Sequence, residues 1–108
     1  DFSKWVYLKV VSHENGDAII GSVRGRQDGD RCYIERLIVH PEHQNQGIGR
    51  QLLTAIENKF NFALSYELFT GHKSQKNLKL YEKLGYEEFK REQITDALTF
   101  VYLEKYRF

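Results

Sequence analysis

Cysteine, proline and methionine are almost missing from this chain of 108 residues, which has one cysteine, one proline and no methionine. The single thiol, Cys32, cannot form an internal disulfide, and it excludes a zinc site built from several cysteines. So few thiols favour a reducing compartment, and we expect a cytoplasmic location. Apolar runs such as Leu37 to Val39 are far shorter than the roughly 20 residues that span a bilayer, so no membrane association is expected.

An excess of charge of one sign is also missing. Sixteen Lys and Arg residues balance fifteen Asp and Glu residues, and the net charge is +1. Affinity for nucleic acid backbones comes from clustered basic residues. The balance therefore argues against a small RNA-binding fold, although Trp5, Tyr7 and Tyr33 would supply exposed sheet aromatics. A hydrophobic content of 41% and an aromatic content of 14% argue against a disordered chain, and the length predicts one domain.

The hydrophobic pattern predicts eight elements in the order strand, strand, strand, helix, strand, helix, strand, strand. Asn15-Gly16 predicts a tight hairpin turn between the first two strands. Gly47 starts a helix of about 13 residues, and Ser74 is a candidate N-cap for the second helix. The predicted strands are Trp5 to Val11, Ala18 to Arg24, Cys32 to Val39, Ser65 to Thr70, Tyr86 to Glu92 and Leu98 to Tyr106.

The segment from Leu37 to Arg50 is the most informative about function. A buried strand ends at Pro41, a polar loop follows, and glycines lie where a helix begins. The first turn of a helix has unpaired N–H groups and a partial positive charge, and glycine lets phosphate oxygens approach the backbone, so a pyrophosphate would bind here. The Walker loop needs a Lys and a hydroxyl that this segment does not supply. The dinucleotide fingerprint needs a third glycine where this chain has Leu52.

The pattern Q-x-x-G-x-G from Gln44 to Gly49 resembles the acetyl-coenzyme A signature of the GNAT superfamily of N-acetyltransferases. A second block, from Ser74 to Tyr86, resembles the family's N-x-x-L-Y-E-K-L-G-[FY] segment. The resemblance implies an α/β (α+β) fold with a mixed, mostly antiparallel twisted sheet flanked by helices. The family has another strand and one or two helices before the strand predicted near Trp5, so residues 1–108 are expected to form a single N-acetyltransferase domain that lacks those elements.

The same resemblance implies that acetyl-coenzyme A is the acyl donor and that a primary amine attacks it directly in a ternary complex. Backbone groups of Leu37, Ile38 and Val39 would line the pantetheine arm, and Ser74 or Asn77 would form a hydrogen bond with it. The residues implied for the pyrophosphate loop and its helix start are Gln44, Asn45, Gln46, Gly47, Ile48, Gly49 and Arg50.

Two catalytic residues are expected. An alkyl ammonium with a pKa of about 10.4 must lose a proton before it attacks. Strand alternation predicts that Glu35 shares a face with Leu37 and Val39, so Glu35 is the candidate base, with a bound water or a purely structural ion pair as alternatives. Tyr81 matches the position of the family's general acid. A thiolate whose thiol has a pKa near 8.5 is already a stable leaving group. The contribution of Tyr81 to the reaction rate should therefore lie within or below about 10²–10⁴-fold.

Other features have simpler interpretations. Lys73, Lys76 and Lys79 form a solvated helix face, or one of the first two reaches the 3′-phosphate of coenzyme A. The histidine spacing suggests no metal site, and Cys32 is expected to be a small core residue. The competing function is a non-catalytic acyl-coenzyme A-binding or regulatory module. The acceptor is left open between a small-molecule and a protein amine, and a homodimer is compatible with the family.

Overall fold

Six strands and two helices follow one another in the order that the hydrophobic pattern predicts. The structure is a computed structural model that describes residues 4–107, apart from the Asn15 side chain. Neither helix in this range has the length and apolar content needed to cross a membrane. The elements are β1 (Val6–Ser12), β2 (Ala18–Asp28), β3 (Arg31–Val39), α1 (Ile48–Lys59), β4 (Ser65–Gly71), α2 (Gln75–Lys83), β5 (Glu87–Thr95) and β6 (Leu98–Tyr106).

The strands form one mixed sheet in the order β1-β2-β3-β4-β6-β5. Every neighbouring pair is antiparallel except β3 and β4, which are parallel and are joined through α1. Their parallel pairing is short, because it runs only from Arg31 opposite Ser65 to Tyr33 opposite Glu67. Beyond these residues the two strands are not paired with each other. We call the space between residues 34–39 of β3 and 68–71 of β4 the β3–β4 gap.

Both helices pack against one face of the sheet. Leu53 and Ile56 of α1 and Tyr81 of α2 belong to the same buried cluster as Leu68 and Val101 of the strands. Glycines in β2 let α1 approach the sheet closely, since a Cβ at Gly21 would lie 2.9 Å from Ile48 Cγ2. The expectation that helices flank the sheet therefore holds for one face. We call the other face, which no described helix covers, the helix-free face.

The first hairpin is wider than the Asn15-Gly16 pair predicts. Ser12 pairs with Ala18, and a short 3₁₀ turn from His13 to Asn15 occupies part of the five residues between them. Both Gly16 and Asp17 have positive φ angles, of 66° and 64°. The Asn-Gly signal thus marked the place of the turn correctly, but the turn is longer than the tight hairpin turn that was predicted.

A β-bulge in β3 overturns the predicted orientation of Glu35. Ser22 and Arg24 of β2 pair with Ile38 and Glu35, so two residues of β3 lie opposite the single residue between them in β2. Arg36, in the bulge, has a left-handed φ of 58°. An extra residue shifts the two-residue period, so side chains beyond the bulge exchange faces.

The consequence is that Glu35 and the cavity-forming end of β3 lie on opposite faces. Glu35 forms an ion pair with Arg24, whose chain neighbours point towards α1: Val23 is buried in the core, and a Cβ at Gly25 would contact Ile56. Arg24 and Glu35 are therefore on the helix-free face. The prediction that Glu35 shares a face with the end of β3 is wrong, because pleat alternation was assumed to continue through the bulge.

Candidate active site

A cavity of about 790 Å³ lies between the end of β3 and the N-terminal ends of α1 and α2. It brings together nearly all of the residues expected to bind the donor, although they come from separate parts of the chain. Gln46 is the one expected residue that does not line it. Those that do are Leu37, Ile38, Val39, Gln44, Asn45, Gly47, Ile48, Gly49, Arg50, Ser74 and Asn77.

Two helix N-termini open onto this cavity without side-chain caps. At α1, the N-cap is Gly47 and the first helical hydrogen bond runs from Gln51 N to Gly47 O, at 3.0 Å. The N–H groups of residues 48–50 consequently have no acceptor within the helix. At α2, the predicted N-cap Ser74 is confirmed in position, but its hydroxyl caps nothing, and Leu78 N donates to Ser74 O. Two partial positive charges therefore face one space.

Cationic side chains surround the same space. Its lining includes five Lys and Arg side chains and no carboxylate, although the whole chain is almost neutral. The lysines of α2 recur at intervals of three and four residues, which aligns them on one side of the helix. The sequence had already indicated a basic cluster of Lys73, Lys76 and Lys79. Lys83 was not predicted, although its spacing from Lys79 could have revealed it. The five residues are Arg50, Lys73, Lys76, Lys79 and Lys83.

The loop between β3 and α1 has a backbone suited to this position. Asn45 and Gly47 have φ angles of 65° and 78°, and a Cβ at Gly47 would meet no atom within 4 Å. The Gln44 side chain turns back towards the strand, where its Nε2 donates to the Val39 carbonyl oxygen at 3.3 Å. In this conformation the Gln44 amide braces the loop and occupies one of the backbone acceptors expected for the pantetheine arm.

Tyr81 lies under the cavity and does not line it. Its side chain is 3% exposed, in the core beside Tyr86, with ring centroids 6.1 Å apart. Hydrogen bonds form at the hydroxyls of Tyr66, Tyr86 and Tyr102, but none among the described residues involves the Tyr81 hydroxyl. Burial disfavours the phenolate and raises the pKa of Tyr81 to about 12. The group therefore stays protonated at physiological pH, where it can donate a proton or a hydrogen bond and does not act as a phenolate base.

Glu35 is held in an ion pair on the helix-free face. Arg24 Nη2 donates to Glu35 Oε1 at 2.6 Å, and the Arg24 guanidinium lies 4.1 Å from the centre of the Trp5 ring. Of the buried side-chain polar atoms in the described part of the chain, Arg24 Nε alone has no hydrogen-bond partner. The two expected catalytic residues thus lie on opposite sides of the sheet.

Of the histidines, His43 lines the cavity, and Cys32 does not. His72 Nδ1 accepts a hydrogen bond from Thr99 N at 3.0 Å, and His13 bonds to Asp17. Cys32 is fully buried, and burial raises its pKa to about 12, so the thiol is not a ready nucleophile. Within residues 4–107, no three His, Cys, Asp or Glu side chains are placed to hold a metal ion.

Comparison with known proteins identifies relatives over most of the chain. The model of the acetyltransferase (GNAT) domain matches residues 7–107. The glucosamine 6-phosphate N-acetyltransferase of Schizosaccharomyces pombe is 34% identical over 95 residues, which cover 79% of this chain and 82% of that protein. The L-amino acid N-acyltransferase MnaT of Escherichia coli is 34% identical over 87 residues, which cover 74% of this chain and 50% of that protein.

A third relative, the catalytic subunit NAA20 of the N-terminal acetyltransferase B complex of Arabidopsis thaliana, is 25% identical over 96 residues, covering 82% of this chain and 55% of that protein. The chain therefore spans about half the length of NAA20 and of MnaT. Among solved structures, an acetyltransferase from Bacillus cereus superimposes with a TM-score of 0.84 at 25% identity, covering 96% of this chain and 74% of that one. The structure of the NatC complex bound to Gag peptide and CoA superimposes with a TM-score of 0.87 at 21% identity, covering 94% of this chain and 71% of that one.

Proposed function

Because this chain belongs to the GNAT acetyltransferase family, we propose that it transfers an acetyl group from acetyl-coenzyme A to a primary amine. The amine attacks directly while both substrates are bound. One observation carries the proposal: two uncapped helix N-termini and five cationic side chains converge on a cavity that adjoins the β3–β4 gap. That arrangement suits a ligand with several phosphates at one end and a peptide-like arm at the other.

The phosphates of coenzyme A suit the cationic end of the cavity. The N–H groups of Ile48, Gly49 and Arg50 would hold the pyrophosphate, because they have no partner within α1. Gly47 leaves the space that a side chain would otherwise fill, so phosphate oxygens can reach the backbone. The lysines of α2 would supply the charge for the 3′-phosphate.

The pantetheine arm suits the β3–β4 gap. Parallel strands that separate leave backbone N–H and C=O groups without partners, and an amide-bearing arm can pair with them as an added strand would. Leu37, Ile38 and Val39 lie at the β3 edge of this gap and line the cavity. Ser74, the N-cap of α2, and Asn77 in its first turn line the same cavity. The Val39 carbonyl would become available if the Gln44 side chain moved away.

Bound acetyl-coenzyme A would supply an activated thioester. Backbone N–H groups of residues 37–39 are the candidates for polarising its carbonyl oxygen, because this part of β3 lies beyond its short pairing with β4. Tyr81 would donate from Oη to the departing sulfur. Its phenol is a weak acid in this buried position, so its contribution is a hydrogen bond or a late proton transfer.

The position of Glu35 suits a catalytic base, although Glu35 is not on the face of the sheet that strand alternation predicted. An amine that approaches the gap from the helix-free face arrives on the side opposite the cavity proposed for acetyl-coenzyme A, which we call the donor cavity. Glu35 lies on the helix-free face. Arg24 occupies Oε1 of the carboxylate, whereas Oε2 has no hydrogen-bond partner among residues 4–107. Oε2 is therefore the atom that we propose accepts the ammonium proton, directly or through one water.

The experiment that tests the function combines calorimetry with a thiol assay. Coenzyme A and acetyl-coenzyme A are titrated into the chain, and release of free thiol is then followed with peptides, amino acids, glucosamine 6-phosphate and arylalkylamines as acceptors. Binding together with amine-dependent thiol release supports the proposal. Binding without thiol release from any amine indicates the non-catalytic module, and absence of binding contradicts both functions.

The role of Glu35 has a separate test in the pH dependence of turnover. We expect Glu35→Gln to lower kcat by about 10²-fold at pH 7. The loss should shrink towards pH 10, because the free amine fraction rises as pH approaches the pKa of the ammonium. Arg24→Met, which breaks the same ion pair and keeps the carboxylate, is the control. If kcat falls by the same factor in both variants at every pH, the role of Glu35 is only structural.

A further inference from the structure

Four aromatic side chains form a cluster on the helix-free face. The Phe69 ring lies 4.8 Å from Phe100 and 5.4 Å from Tyr102, between ring centroids, and Phe89 lies 6.4 Å from Tyr102. Phe69 is 36% exposed and Phe89 is 42% exposed. We call these four residues, from β4, β5 and β6, the aromatic cluster.

The hydrophobic core does not account for this cluster. On the same strands, the residues that alternate with it are Leu68, Val101 and Leu103, and each is exposed by 2% or less. These three side chains pack under the helices and complete the core of the domain. The aromatic cluster is therefore apolar surface that folding of residues 4–107 leaves open to solvent.

The cluster adjoins the β3–β4 gap. Tyr33 opposite Glu67 is the last pair of the parallel ladder, so Glu35 and Phe69 are at the same level, two residues further along each strand. Both are on the helix-free face, since Phe69 alternates with buried Leu68 and Glu35 bonds to Arg24. Across the sheet at this point is the donor cavity. An acceptor amine in the gap would thus have the cluster on one side and the Glu35 carboxylate on the other.

The chemistry of the cluster suits an ammonium joined to an apolar group. Lys90 Nζ already lies 4.3 Å from the centre of the Tyr102 ring, so one aromatic face here accepts a primary ammonium. The Tyr102 hydroxyl donates to Glu92 Oε1 at 2.9 Å, which places a second carboxylate at the rim. The Arg31 guanidinium lies 5.6 Å from the centre of the Phe89 ring, over one of its faces. The exposed parts of Phe69 and Phe89 offer stacking area and no hydrogen-bond donors or acceptors.

We propose that the aromatic cluster is the acceptor subsite, and that the acceptor is a primary amine joined to an aromatic or large apolar group. This inference rests on the proposed acetyl transfer for its role, but the binding that it requires can be measured without turnover. Small polar amines and amino sugars would reach the gap and gain nothing from the cluster. Arylalkylamines would stack on Phe69 while the amine points towards Glu35.

The test is binding of 2-phenylethylamine to the 108-residue chain with coenzyme A present. Titration is followed by calorimetry and by the aromatic-ring NMR signals of the protein. We expect the cluster signals to shift, and we expect affinity at least tenfold higher than for ethanolamine or glucosamine 6-phosphate. Phe69→Ala and, separately, Phe89→Ala should reduce this preference to threefold or less. Phe62→Ala, the same change at a residue 87% exposed in the loop before β4, should leave it intact.

Each outcome decides the proposal. Cluster shifts with a preference that both variants reduce support it, even if no acetyl transfer is detected. Equal affinity for the three amines overturns it while leaving acetyl transfer standing. Shifts confined to other residues, or concentration-dependent self-association that Phe69→Ala abolishes, also overturn it, because the cluster would then bind something else or join two copies of the chain.

Discussion

Gly49 of α1 lies against Leu80 of α2, and a Cβ at position 49 would be 3.2 Å from Leu80 Cδ2. The same atom would lie 3.9 Å from Val39 and 4.0 Å from Leu37. The absence of a side chain at residue 49 therefore matters for packing as well as for the proposed phosphate contact. It lets the two helices and the end of β3 close around one cavity.

Enlarging residue 49 should open the donor cavity. We expect Gly49→Val to push Leu80 outwards, to lower the free energy of unfolding by about 1–3 kcal/mol, and to weaken coenzyme A binding at least tenfold. Gly49→Ala, which needs a shift of only a few tenths of an ångström, should weaken binding threefold or less. Calorimetry and urea unfolding measure the two effects. Unchanged affinity in Gly49→Val would contradict the placement of the pyrophosphate.

A matched pair of glycines separates backbone strain from ligand binding. Gly47 and Gly29 have φ angles of 78° and 61°, and a Cβ at either residue would meet no atom within 4 Å. Alanine at each should therefore lower the free energy of unfolding by a similar amount, about 1 kcal/mol. Only Gly47→Ala should also weaken coenzyme A binding, because Gly29 is in the β2–β3 turn. Equal affinities of both variants and the parent chain would exclude Gly47 from the binding site.

Tyr81→Phe should reduce turnover without reducing donor affinity. The hydroxyl has no partner among the described residues, so we expect stability to change by less than about 0.5 kcal/mol. We expect kcat to fall by about tenfold or more and the Kd of coenzyme A to change less than twofold. Because burial raises the pKa of Tyr81 to about 12, the phenol stays protonated and the ratio of the two kcat values should be constant from pH 6 to pH 10. Equal turnover in the two proteins would remove the role of Tyr81.

The bulge at Arg36 can be tested through backbone conformation. A left-handed φ of 58° favours glycine and is strained for a β-branched residue. We expect Arg36→Gly to be at least as stable as Arg36→Ala, and Arg36→Val to be about 1–3 kcal/mol less stable than Arg36→Ala. Urea unfolding measures these differences as shifts of the midpoint, provided that the dependence of the unfolding free energy on urea concentration is the same in each variant. An Arg36→Val protein as stable as Arg36→Ala would mean that β3 contains no such bulge.

The lysines of α2 should act through charge. Exposed ion pairs contribute up to about 1 kcal/mol each, so Lys79→Ala combined with Lys83→Ala should weaken coenzyme A binding by up to about 30-fold. The loss should be smaller for 3′-dephospho-coenzyme A and should diminish as salt is raised. Lys59→Ala, at the opposite end of α1, serves as the control. A loss that is independent of salt would indicate that the double variant disturbs packing of α2 instead.

Much of this molecule follows from local sequence signals. The order of the elements, the start of α1 after Gly47 and the N-cap at Ser74 were all predicted, because hydrophobic periodicity, glycine and capping residues act within a few residues of where they stand. The Q-x-x-G-x-G pattern is equally local. The pyrophosphate site that it predicted stays a prediction, and most of residues 37–50 line one cavity.

Relations between distant segments were decided only by the tertiary structure. Glu35 lies on the face opposite to Leu37 and Val39, contrary to the prediction, because pairing with β2 places an extra residue of β3 at Arg36. The sequence of β3 does not show which strand it pairs with. Lys83 joined the donor cavity because α2 packs beside the start of α1. The aromatic cluster formed because β4, β5 and β6 place four rings on a face that no described helix covers. Strand pairing and helix packing decide which face of the sheet a side chain occupies and which side chains lie close together. Residues far apart in the chain determine this pairing and packing together.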